Sequence, residues 1–503
     1  PADADHLLVD SATMRAVEQR LFDSGLPVAA LMEKVGLAMA ARLQHQQPLL
    51  RDGVVVLVGP GHNGGDGLVV ARELALAGVS VRIWCPFGVR RELPMQHLRH
   101  LHWLGIEPSL VAPDPSESSL WVDALFGLGQ TRPLSEELAS LFHRRQLECP
   151  DHLVSLDVPS GLCSDQGEPL GGQAACALLT LTVGLIKRGL CLDPARAWVG
   201  RLERIDIGLP SSLLLELAGT RPRRLPLTEI STVVCPRPPL AGMKYQRGRC
   251  LVVAGSERYP GAAHLALLGS LASGCGSVQA VLPDCVRRDL WQVLPEVVAF
   301  EEAVDKTSME VERPCLQRLD ALLFGPGLGT SPLTWNHWAE RLRQFAGLLV
   351  LDADGLNALA SSEEGWRWLL RREGPTFLTP HQAEFRRLFP EIEIVDSLQA
   401  ALAAAACSEC FVLLKGAHSA IAAPDGMALL LVGTSPEAAR TGLGDVLAGF
   451  ATGLSALFSA AAVPPTLETF ATAALLHACS ASQAPSSEAS EIAECCLLYT
   501  SPS

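Results

Sequence analysis

The sequence predicts an α/β fold in two domains. Its 503 residues exceed one typical domain, and 48% of them are hydrophobic, so each domain can bury a full core. Short apolar runs that end in Gly, Asp, His or Lys alternate with helical segments through both halves. Such runs are typical of strands buried on both faces of a parallel sheet. Ligands bind beyond the carboxyl ends of these strands, so we expect the functional sites there.

Composition argues against several function classes. The net charge of −14 argues against nucleic acid or an anionic membrane as a partner. The 15 cysteines lie scattered in apolar segments, which indicates a reducing compartment and predicts a cytoplasmic protein. Cys407 and Cys410 form one C-x-x-C, which we interpret as packing rather than as a redox or metal site because no second pair follows at zinc spacing. Residues 446–463 approach membrane-spanning length, but their many small residues favour a buried helix.

The first half contains a segment that is unusually rich in glycine. A predicted strand at residues 54–58 runs into residues 59–67, five of which are glycine. A helix over 68–77 and a strand over 79–84 are predicted to follow. We interpret the glycines as allowing the backbone to approach a dinucleotide-like phosphate or ribose. The alternative is a crowded junction between strand and helix, and the spacing is not that of a hydride-transfer cofactor site.

Polar residues follow three predicted strands of this half. They are Asn63, Asp123 and Ser160, and their oxygen atoms suit an alkali or alkaline-earth cation. Asp157 lies beside Ser160 and is the candidate acid or base. The alternative for each residue is a turn or cap. Convergence at one sheet edge favours a shared site.

The domain boundaries are predicted from changes in composition. The first domain spans 1–215, a Pro- and Arg-rich linker spans 216–240, and the second domain spans 241–485. Residues 486–503 are rich in Ser, Ala and Glu near their start, and we expect this tail to be poorly ordered.

The second half places candidate binding residues at its own strand ends. Lys415 and Gly416 can hold a nucleotide phosphate, with an exposed lysine as the alternative interpretation. For His381 the alternative to a binding role is a turn histidine. The segment from Gly442 to Asp445 predicts a glycine turn that opens a buried helix and forms an anion site. Asp445 would take a proton there, the alternative being a helix N-cap.

The first half resembles the epimerase domain of NAD(P)H-hydrate repair enzymes over roughly residues 10–210. The resemblance is carried by G-x-G-H-N-G-G-D-G, D-A-L-F-G-L-G, D-V-P-S-G and T-V-G-L-I-K-R-G-L. It implies a Rossmann-like three-layer α/β/α domain, with potassium held by Asn63, Asp123 and Ser160. It also implies contacts with the hydrated dinucleotide by His62, Asn63, Gly64, Gly65, Asp66, Gly127, Leu128, Gly129, Gln130, Thr131, Arg132, Pro133 and Asp157. The family usually has asparagine where this chain has His62, and protonation of this histidine would make binding pH-sensitive.

The second half resembles ADP-dependent NAD(P)H-hydrate dehydratases, which have a ribokinase-like fold, over roughly residues 226–480. The motifs are K-x-x-x-G, A-G-S, P-G-A-A, G-P-G-L-G, D-A-D-x-L-N, T-P-H, L-K-G-A and G-x-G-D-V-L-A-G, in family order. The resemblance implies that the hydrate contacts Ala262, Gly327, His381 and Asp445. It implies that the nucleotide contacts Lys415, Gly416, Ala417, His418, Ser419 and Gly444. The chain departs from the family pattern at Gln382, Ala383, Thr441 and Leu443, and Thr441 in place of glycine is predicted to tighten the anion loop and lower nucleotide affinity.

Together the resemblances imply a repair enzyme for NADHX and NADPHX, the hydrates of NADH and NADPH. One domain would interconvert the R and S epimers, and the other would dehydrate the S epimer with ADP, or ATP, releasing AMP and phosphate when ADP is used. Phosphorylation makes the C6 hydroxyl a good leaving group, and Asp445 is the implied base. The implied cofactors are potassium at the epimerase site and Mg²⁺ with ADP. A homo-oligomer is expected, without nucleic acid or membrane.

Two other functions remain open from the sequence. One is a ribokinase-like kinase of a small vitamin-precursor alcohol, and the epimerase-like first half argues against it. The other is a non-enzymatic binding scaffold, against which Asp123, Asp157 and Asp445 argue because binding alone does not need them.

Overall fold

The chain forms two compact units. The computed structural model describes residues 3–109, 111–236, 243–301 and 314–500. The first unit comprises residues 1–223 and the second comprises residues 224–503. This boundary falls inside the segment expected to be a linker.

The first unit is built on a parallel sheet of seven strands. Its elements are β1 (Leu8–Val9), α1 (Ser11–Asp23), α2 (Val28–Gln44), α3 (Gln47–Leu50), β2 (Val54–Val58), α4 (His62–Leu76), β3 (Val81–Trp84), α5 (Glu92–Trp103), β4 (Pro108–Ser109), β5 (Leu120–Ala124), α6 (Glu136–Glu148), β6 (Leu153–Leu156), β7 (Leu179–Val183), β8 (Ile186–Lys187), α7 (Arg196–Val199), β9 (Arg201–Ile205) and α8 (Ser211–Ala218). The strand order is β4-β3-β2-β5-β6-β7-β9, and every neighbouring pair is parallel. Strands β1 and β8 form a separate parallel pair.

Strand β2 shows why this sheet is covered on both faces. Successive side chains of a strand point to opposite faces. Val54, Val56 and Val58 belong to one buried cluster, which includes residues of α1, α2 and α4. Val55 and Leu57 belong to another, which includes residues of α6. The continuous apolar run therefore places β2 inside three layers, as predicted.

The glycine-rich segment differs from its prediction. Helix α4 begins at His62, six residues before the predicted start, so most of the segment is helical. A Cβ at Gly59 would overlap the carbonyl group of Leu125, and one at Gly64 would overlap the carbonyl of Gly59. Close packing requires glycine at these two positions, as in the alternative interpretation, and the approach of the segment to a ligand stays a prediction. Gly61 is different because nothing lies within 4 Å of its added Cβ.

The second unit is built on a mostly parallel sheet of ten strands. Its elements are β10 (Arg223–Pro226), β11 (Arg249–Val253), α9 (Pro260–Ala272), β12 (Ser277–Leu282), α10 (Asp284–Arg287), α11 (Leu290–Val293), β13 (Val298–Glu301), β14 (Ala321–Phe324), α12 (Pro332–Arg343), β15 (Leu348–Leu351), α13 (Asp354–Ala360), β16 (Thr376–Leu378), α14 (Gln382–Leu388), α15 (Ser397–Ser408), β17 (Phe411–Leu414), β18 (Ala420–Ala422), β19 (Ala428–Val432), α16 (Leu443–Ala460), α17 (Leu467–Gln483) and α18 (Ala489–Thr500). The order is β10-β19-β18-β17-β16-β15-β14-β11-β12-β13. The seven neighbouring strands β17-β16-β15-β14-β11-β12-β13 are parallel to one another. Strand β18 pairs antiparallel with both β17 and β19. The predicted α/β class is confirmed in both units.

The segment expected to be a linker is partly structured. Residues 223–226 are the edge strand β10, and a 3-10 helix follows at Leu227–Thr232. Leu225, Leu227 and Ile230 pack against the core of the second unit, which is why this Pro-rich stretch is held in place. Residues 237–240 of the predicted linker lie outside the described residues.

Helix α16 lies in the core of the second unit. By length and composition it could cross a membrane, but 67% of its apolar window is buried in the unit. It packs closely alongside α9, where a Cβ at Gly449 would overlap the carbonyl of Ala266. Leu265 lies beside Gly442 and Ser273 beside Gly453, so the two helices run in the same direction. The prediction of a buried helix is confirmed, and the amino ends of α9 and α16 lie together.

The tail is ordered where it forms α18, contrary to expectation. Ile492 and Cys496 are fully buried at a spacing of four residues, which is one face of a helix. Ile492 packs beside Leu443 and Ala481. The prediction of disorder was wrong for residues 489–500 because apolar residues at helical spacing outweigh the polar composition. Residues 501–503 lie outside the described residues.

We expect Ile492→Ala to destabilise the second unit. Truncating a fully buried isoleucine costs about 2–5 kcal/mol through lost burial and the cavity left behind. Leu498→Ala is the matched control on the same helix, because Leu498 is 71% exposed, and it should change stability by less than about 0.5 kcal/mol. Thermal unfolding of the full chain measures both. Equal, small shifts would show that α18 does not belong to the folded unit.

The cysteines behave as packed thiols. All 15 are free of disulfides. Burial raises the pKa of Cys407, and it raises the pKa of Cys410 to about 12. Among the described residues, no group of three or more His, Cys, Asp or Glu side chains could hold a metal ion. These observations fit the interpretation of the C-x-x-C as packing.

Candidate active sites

The first unit has a cavity of about 470 Å³ at the carboxyl ends of its strands. One wall comes from the turn into α4, from residues 125–130 and from Asp157. Residues of α1 and α2 also line the cavity, and they include Glu18, which the motifs did not indicate. Helix α4 begins at the cavity with Gly61 as its N-cap and no capping side chain. Its first turn can therefore offer N–H groups to an anion.

Both carboxylate oxygens of Asp157 accept hydrogen bonds. Oδ1 accepts from the Lys187 ammonium at 2.6 Å and from the Val183 amide at 3.2 Å. Oδ2 accepts from the Leu128 amide at 2.9 Å, which ties the carboxylate to the 127–130 loop. Lys187 is only 1% exposed, so the two side chains form a buried ion pair. The backbone of Asp157 has φ of +64°, a left-handed conformation that few non-glycine residues adopt.

The three predicted cation ligands lie in one hydrogen-bonded network. Asp123 is fully buried and accepts from the Ser160 hydroxyl at 2.6 Å and the Ser160 amide at 2.8 Å. The Ser160 hydroxyl oxygen also accepts from the amide of Phe126, whose carbonyl accepts from Asn63. Asn63 Oδ1 is buried and has no hydrogen-bond partner. Burial raises the pKa of Asp123 although these donors oppose the shift. A buried carboxylate without a cationic partner, near an unpaired amide oxygen, is a suitable environment for a cation.

Two further carboxyl groups line the same cavity. Glu18 and Asp66 make no hydrogen bond or ion pair with the described residues. Burial raises the pKa of Glu18, and the negative charge of Asp157 adds to the shift. Burial raises the pKa of Asp66 well above its ordinary value, again with contributions from Asp157 and Glu18. The cavity thus combines one ion-paired carboxylate with two unpaired carboxyl groups that favour the protonated form.

His62 lies at the cavity beside Arg91. Its Nε2 is 2.7 Å from Arg91 Nη1, so the imidazole accepts from the guanidinium. Burial and the charge of Arg91 both lower the pKa of His62. The lowered pKa favours the neutral imidazole, and an effect of its protonation on binding stays a prediction.

Some predicted contact residues lie elsewhere. Gly64 and Gly65 are buried against Gly59 and Met32 and do not line the cavity. The structure brings Gly127, Leu128, Gly129 and Gln130 to the cavity but not the exposed residues Thr131, Arg132 and Pro133.

The second candidate site lies at the amino end of α16. Gly442 is the N-cap, with φ of +93°, and no side chain caps this helix. Asp445 is therefore not the cap, and that alternative is wrong. Burial raises the pKa of Asp445 to about 7, with Asp352 the next contributor and Lys415 opposing it. A carboxylate that titrates near neutrality is suited to accept a proton at physiological pH.

Lys415 lies against the same helix end. Its Nζ is 2.7 Å from Asp352 Oδ1 and 3.3 Å from the position of a Cβ added at Gly444. Burial would lower the pKa of Lys415, but Asp352, Glu384 and Asp445 outweigh burial and raise it. The lysine is therefore a fixed positive charge beside Gly444, and the alternative of a merely exposed lysine is wrong.

The carboxyl ends of β16 and β17 complete this site. His381 caps α14 through its Nδ1, which accepts from the Ala383 amide at 3.0 Å, and Glu384 closes a capping box. Its Nε2 therefore carries the proton. The peptide N–H of Lys415 donates to Pro380 at 2.8 Å, which fixes the strand ends side by side.

Gly327 packs directly against Ala262 at the start of α9. Gly327 has φ of +65°, and an added Cβ would lie 2.8 Å from that of Ala262. The amino ends of α9 and α16 lie together, so these two predicted hydrate contacts lie on the side of the site where Asp445 does.

The predicted nucleotide segment is the turn between β17 and β18. Gly416 and Ala417 are exposed at its tip. The Gly433 amide donates to His418 Nε2 at 3.2 Å. Within the turn, the Gly416 amide donates to the Ser419 hydroxyl. The turn is a preformed, accessible loop beside Lys415.

Comparisons with known proteins cover both units. A family model described as NAD(P)H-hydrate dehydratase matches residues 250–502, and one described as YjeF-related protein N-terminus matches residues 28–189. The bifunctional NAD(P)H-hydrate repair enzyme of Gloeobacter violaceus is 41% identical over 451 residues, which are 88% of this chain and 87% of that protein. The chain belongs to the bifunctional NAD(P)H-hydrate repair enzyme family. The enzymes of the same name from Synechocystis and Salinibacter ruber are 39% and 34% identical, covering 89% and 92% of this chain and 86% and 91% of those proteins.

Solved structures resemble the second unit. A ribokinase-like superfamily protein from Enterococcus faecalis is 23% identical, with a TM-score of 0.48, and covers 56% of this chain and 95% of its own. The ADP/ATP-dependent NAD(P)H-hydrate dehydratase from Bacillus subtilis, crystallised with ATP and Mg²⁺, is 25% identical with a TM-score of 0.45. It covers 54% of this chain and 95% of its own.

The departures from the family pattern are accommodated locally. Leu443 is one of these departures and lies at a glycine-rich turn. Its side chain packs against Ala481 and Ile492, so the apolar face of α18 covers it. The Ala383 amide donates a hydrogen bond to His381 Nδ1, and Glu384 completes the capping box. Thr441 is exposed and precedes the N-cap, and the left-handed position belongs to Gly442.

Proposed function

We propose that this chain repairs hydrated NADH and NADPH by two reactions. The first unit interconverts the R and S epimers of the hydrate, and the second dehydrates the S epimer at the cost of ADP or ATP. Family membership over 88% of the chain supports both activities together. The observation that carries the dehydratase assignment is Asp445, whose pKa of about 7 and place in the first turn of α16 suit a base beside an anion site.

The second unit holds the groups for phosphoryl transfer. Asp445 accepts the proton of the C6 hydroxyl as this oxygen attacks the terminal phosphate of ADP or ATP. Backbone N–H groups at Gly442 and Gly444, together with Lys415, stabilise the negative charge of the transferring group. The ring nitrogen then expels the phosphate and forms a double bond to C6, and loss of a proton from C5 to solvent gives NADH or NADPH. Mg²⁺ is expected with the nucleotide, where it neutralises phosphate charge.

The first unit holds the hydrate in the cavity of about 470 Å³. The free amino end of α4 suits the dinucleotide phosphates. Asp157 contacts the ring as the acid–base group, because its hydrogen bonds with Lys187 and with the backbone fix its position at the cavity.

Potassium fits the network around Asp123. Asn63 Oδ1 is the buried oxygen that lacks a partner, and Asp123 supplies the negative charge. Asn63, Asp123 and Ser160 would hold the ion, which would supply positive charge beside the substrate phosphates.

We expect potassium to stabilise the first unit independently of activity. Binding to the folded state alone raises stability by about 2.7 kcal/mol at a hundredfold excess over Kd. The melting temperature should rise with potassium and not with tetramethylammonium at equal ionic strength. Asn63→Ala should abolish this difference because it removes the unpaired oxygen. Equal melting temperatures for the wild type in the two salts would contradict the site.

A direct test of the dehydratase is whether the purified chain consumes ADP only when the hydrate is present. Consumption of ADP with a thiazole or pyrimidine alcohol instead would indicate the kinase alternative. No consumption with any of them would indicate a binding scaffold.

A further inference from the structure

Epimerisation at C6 requires more than the single carboxylate that the motifs supply. Glu18 lies on α1, and its side chain lines the same cavity as that of Asp157. Within the described residues the Glu18 carboxyl has no hydrogen bond or ion pair, although Arg15 and Lys187 act on it through their charge. A polar group left unpaired in a partly buried position costs stability, so a functional reason is expected.

The environments of the two groups differ in the manner expected of an acid and a base. Asp157 receives the Lys187 ammonium and two amide donors, which favour the carboxylate. Glu18 receives none, and burial together with the charge of Asp157 raises its pKa. Arg15 on the same helix and Lys187 oppose that shift, and Asp66 on α4 is the other acidic group near Asp157. Pairs of titratable groups with divergent environments are typical of acid–base catalysis.

We propose that Glu18 is the proton donor of the epimerase and acts together with Asp157, which lines the same cavity. This inference rests on the proposed epimerase function.

The reaction balances with these two groups. Glu18 gives its proton to the C6 hydroxyl, the C6–O bond breaks, and water leaves as the ring nitrogen forms a double bond to C6. A water molecule then adds to the other face of C6 and loses a proton to Asp157. The ring nitrogen regains its electron pair, so the ring is again neutral and carries its hydroxyl with inverted configuration. Exchange with solvent returns the proton from Asp157 to Glu18.

The test uses full-length wild type and the variants Glu18→Gln, Asp66→Asn and Asp23→Asn. Asp23 is the matched control, because it is exposed near the end of the same helix and does not line the cavity. Conversion of the R to the S epimer is followed by NMR, and thermal unfolding of the full chain reports that the first unit of each variant is folded. If wild type fails to interconvert the epimers, the proposed function fails and not the role of Glu18 alone.

We expect Glu18→Gln to slow interconversion by about 10²–10⁴-fold, which is the contribution of a positioned general acid. Dehydration and the affinity for the hydrate should be unchanged. Wild-type interconversion should fall as pH rises through the pKa of Glu18, because the donor must be protonated, and this fall should be absent in Glu18→Gln. In ¹⁸O-labelled water, each inversion should place ¹⁸O at C6.

Three outcomes would overturn the proposal. One is a Glu18→Gln rate close to that of Asp23→Asn. Another is loss of the high-pH fall in Asp66→Asn while it persists in Glu18→Gln, which would assign the proton donor to Asp66. The third is inversion with complete retention of ¹⁶O, which would show that C6–O does not break.

Discussion

Asp445→Asn should lower the rate constant for dehydration by about 10²–10⁴-fold, or ~3–5 kcal/mol of barrier, while ADP still binds. Asparagine keeps the shape of the side chain and cannot accept the proton. Nucleotide binding depends on the amino end of α16 and on Lys415, which the change leaves in place. Removing a negative charge beside the phosphates should leave ADP affinity unchanged or raise it.

The pH dependence follows from the same group. The base must be ionised, and burial raises the pKa of Asp445 to about 7 in the free protein. The value of kcat/KM for dehydration should therefore rise as pH increases through about 7, and this rise should be lost in Asp445→Asn. Asp425→Asn is the matched control, since Asp425 lies in an exposed turn of the same unit. A variant that binds ADP and dehydrates the hydrate at close to the wild-type rate would require another base.

Asp157→Ala should abolish exchange between the epimers and leave dehydration of the S epimer intact. It removes both the acid–base group and the acceptor for the Leu128 amide, which orders the cavity loop. The buried Lys187 would be left without its anion, and breaking such a pair costs about 3–5 kcal/mol. The alanine variant thus tests two effects at once.

Asp157→Asn is the milder change, because its single amide oxygen can still accept from Lys187 and from the Val183 amide, whereas the acceptor for the Leu128 amide is lost. We expect the asparagine variant to fold and to lose exchange by at least about 10²-fold. Dehydration of pure S epimer by the same preparation is the internal control. Exchange at the wild-type rate in Asp157→Asn would remove Asp157 from the reaction.

The central strands could be predicted from the sequence because they are apolar runs buried on both faces. β2 begins and ends at the predicted residues 54 and 58. The start of α4 could not be predicted. Glycines in a sequence suggest a loop, but here they are required because the helix packs closely against the neighbouring backbone. Gly59 and Gly64 are needed where backbone meets backbone, and only the neighbouring elements show this. The order of α18 was missed for a related reason, since its apolar face is matched to Leu443, far away in sequence.

The candidate sites were predictable where they follow strand ends. Asp123, Asp157 and Lys415 lie where parallel topology places them. Glu18 was not predictable in this way, because it comes from a helix that precedes the sheet and carries no motif. The side chains that bond to these strand-end groups could not be predicted either. Lys187 belongs to a motif but is 30 residues from Asp157, and only the fold shows that their side chains meet.

The central claim is that one chain performs both repair reactions. The most direct measurement follows the absorbance of reduced dinucleotide formed from a mixture of R and S hydrates with excess ADP. The account predicts that wild type converts both epimers completely, whereas Asp157→Asn converts the S epimer quickly and then slows to the uncatalysed rate of epimer exchange. Wild-type conversion that stops at the S fraction, or no recovery of absorbance with either ADP or ATP, would contradict it.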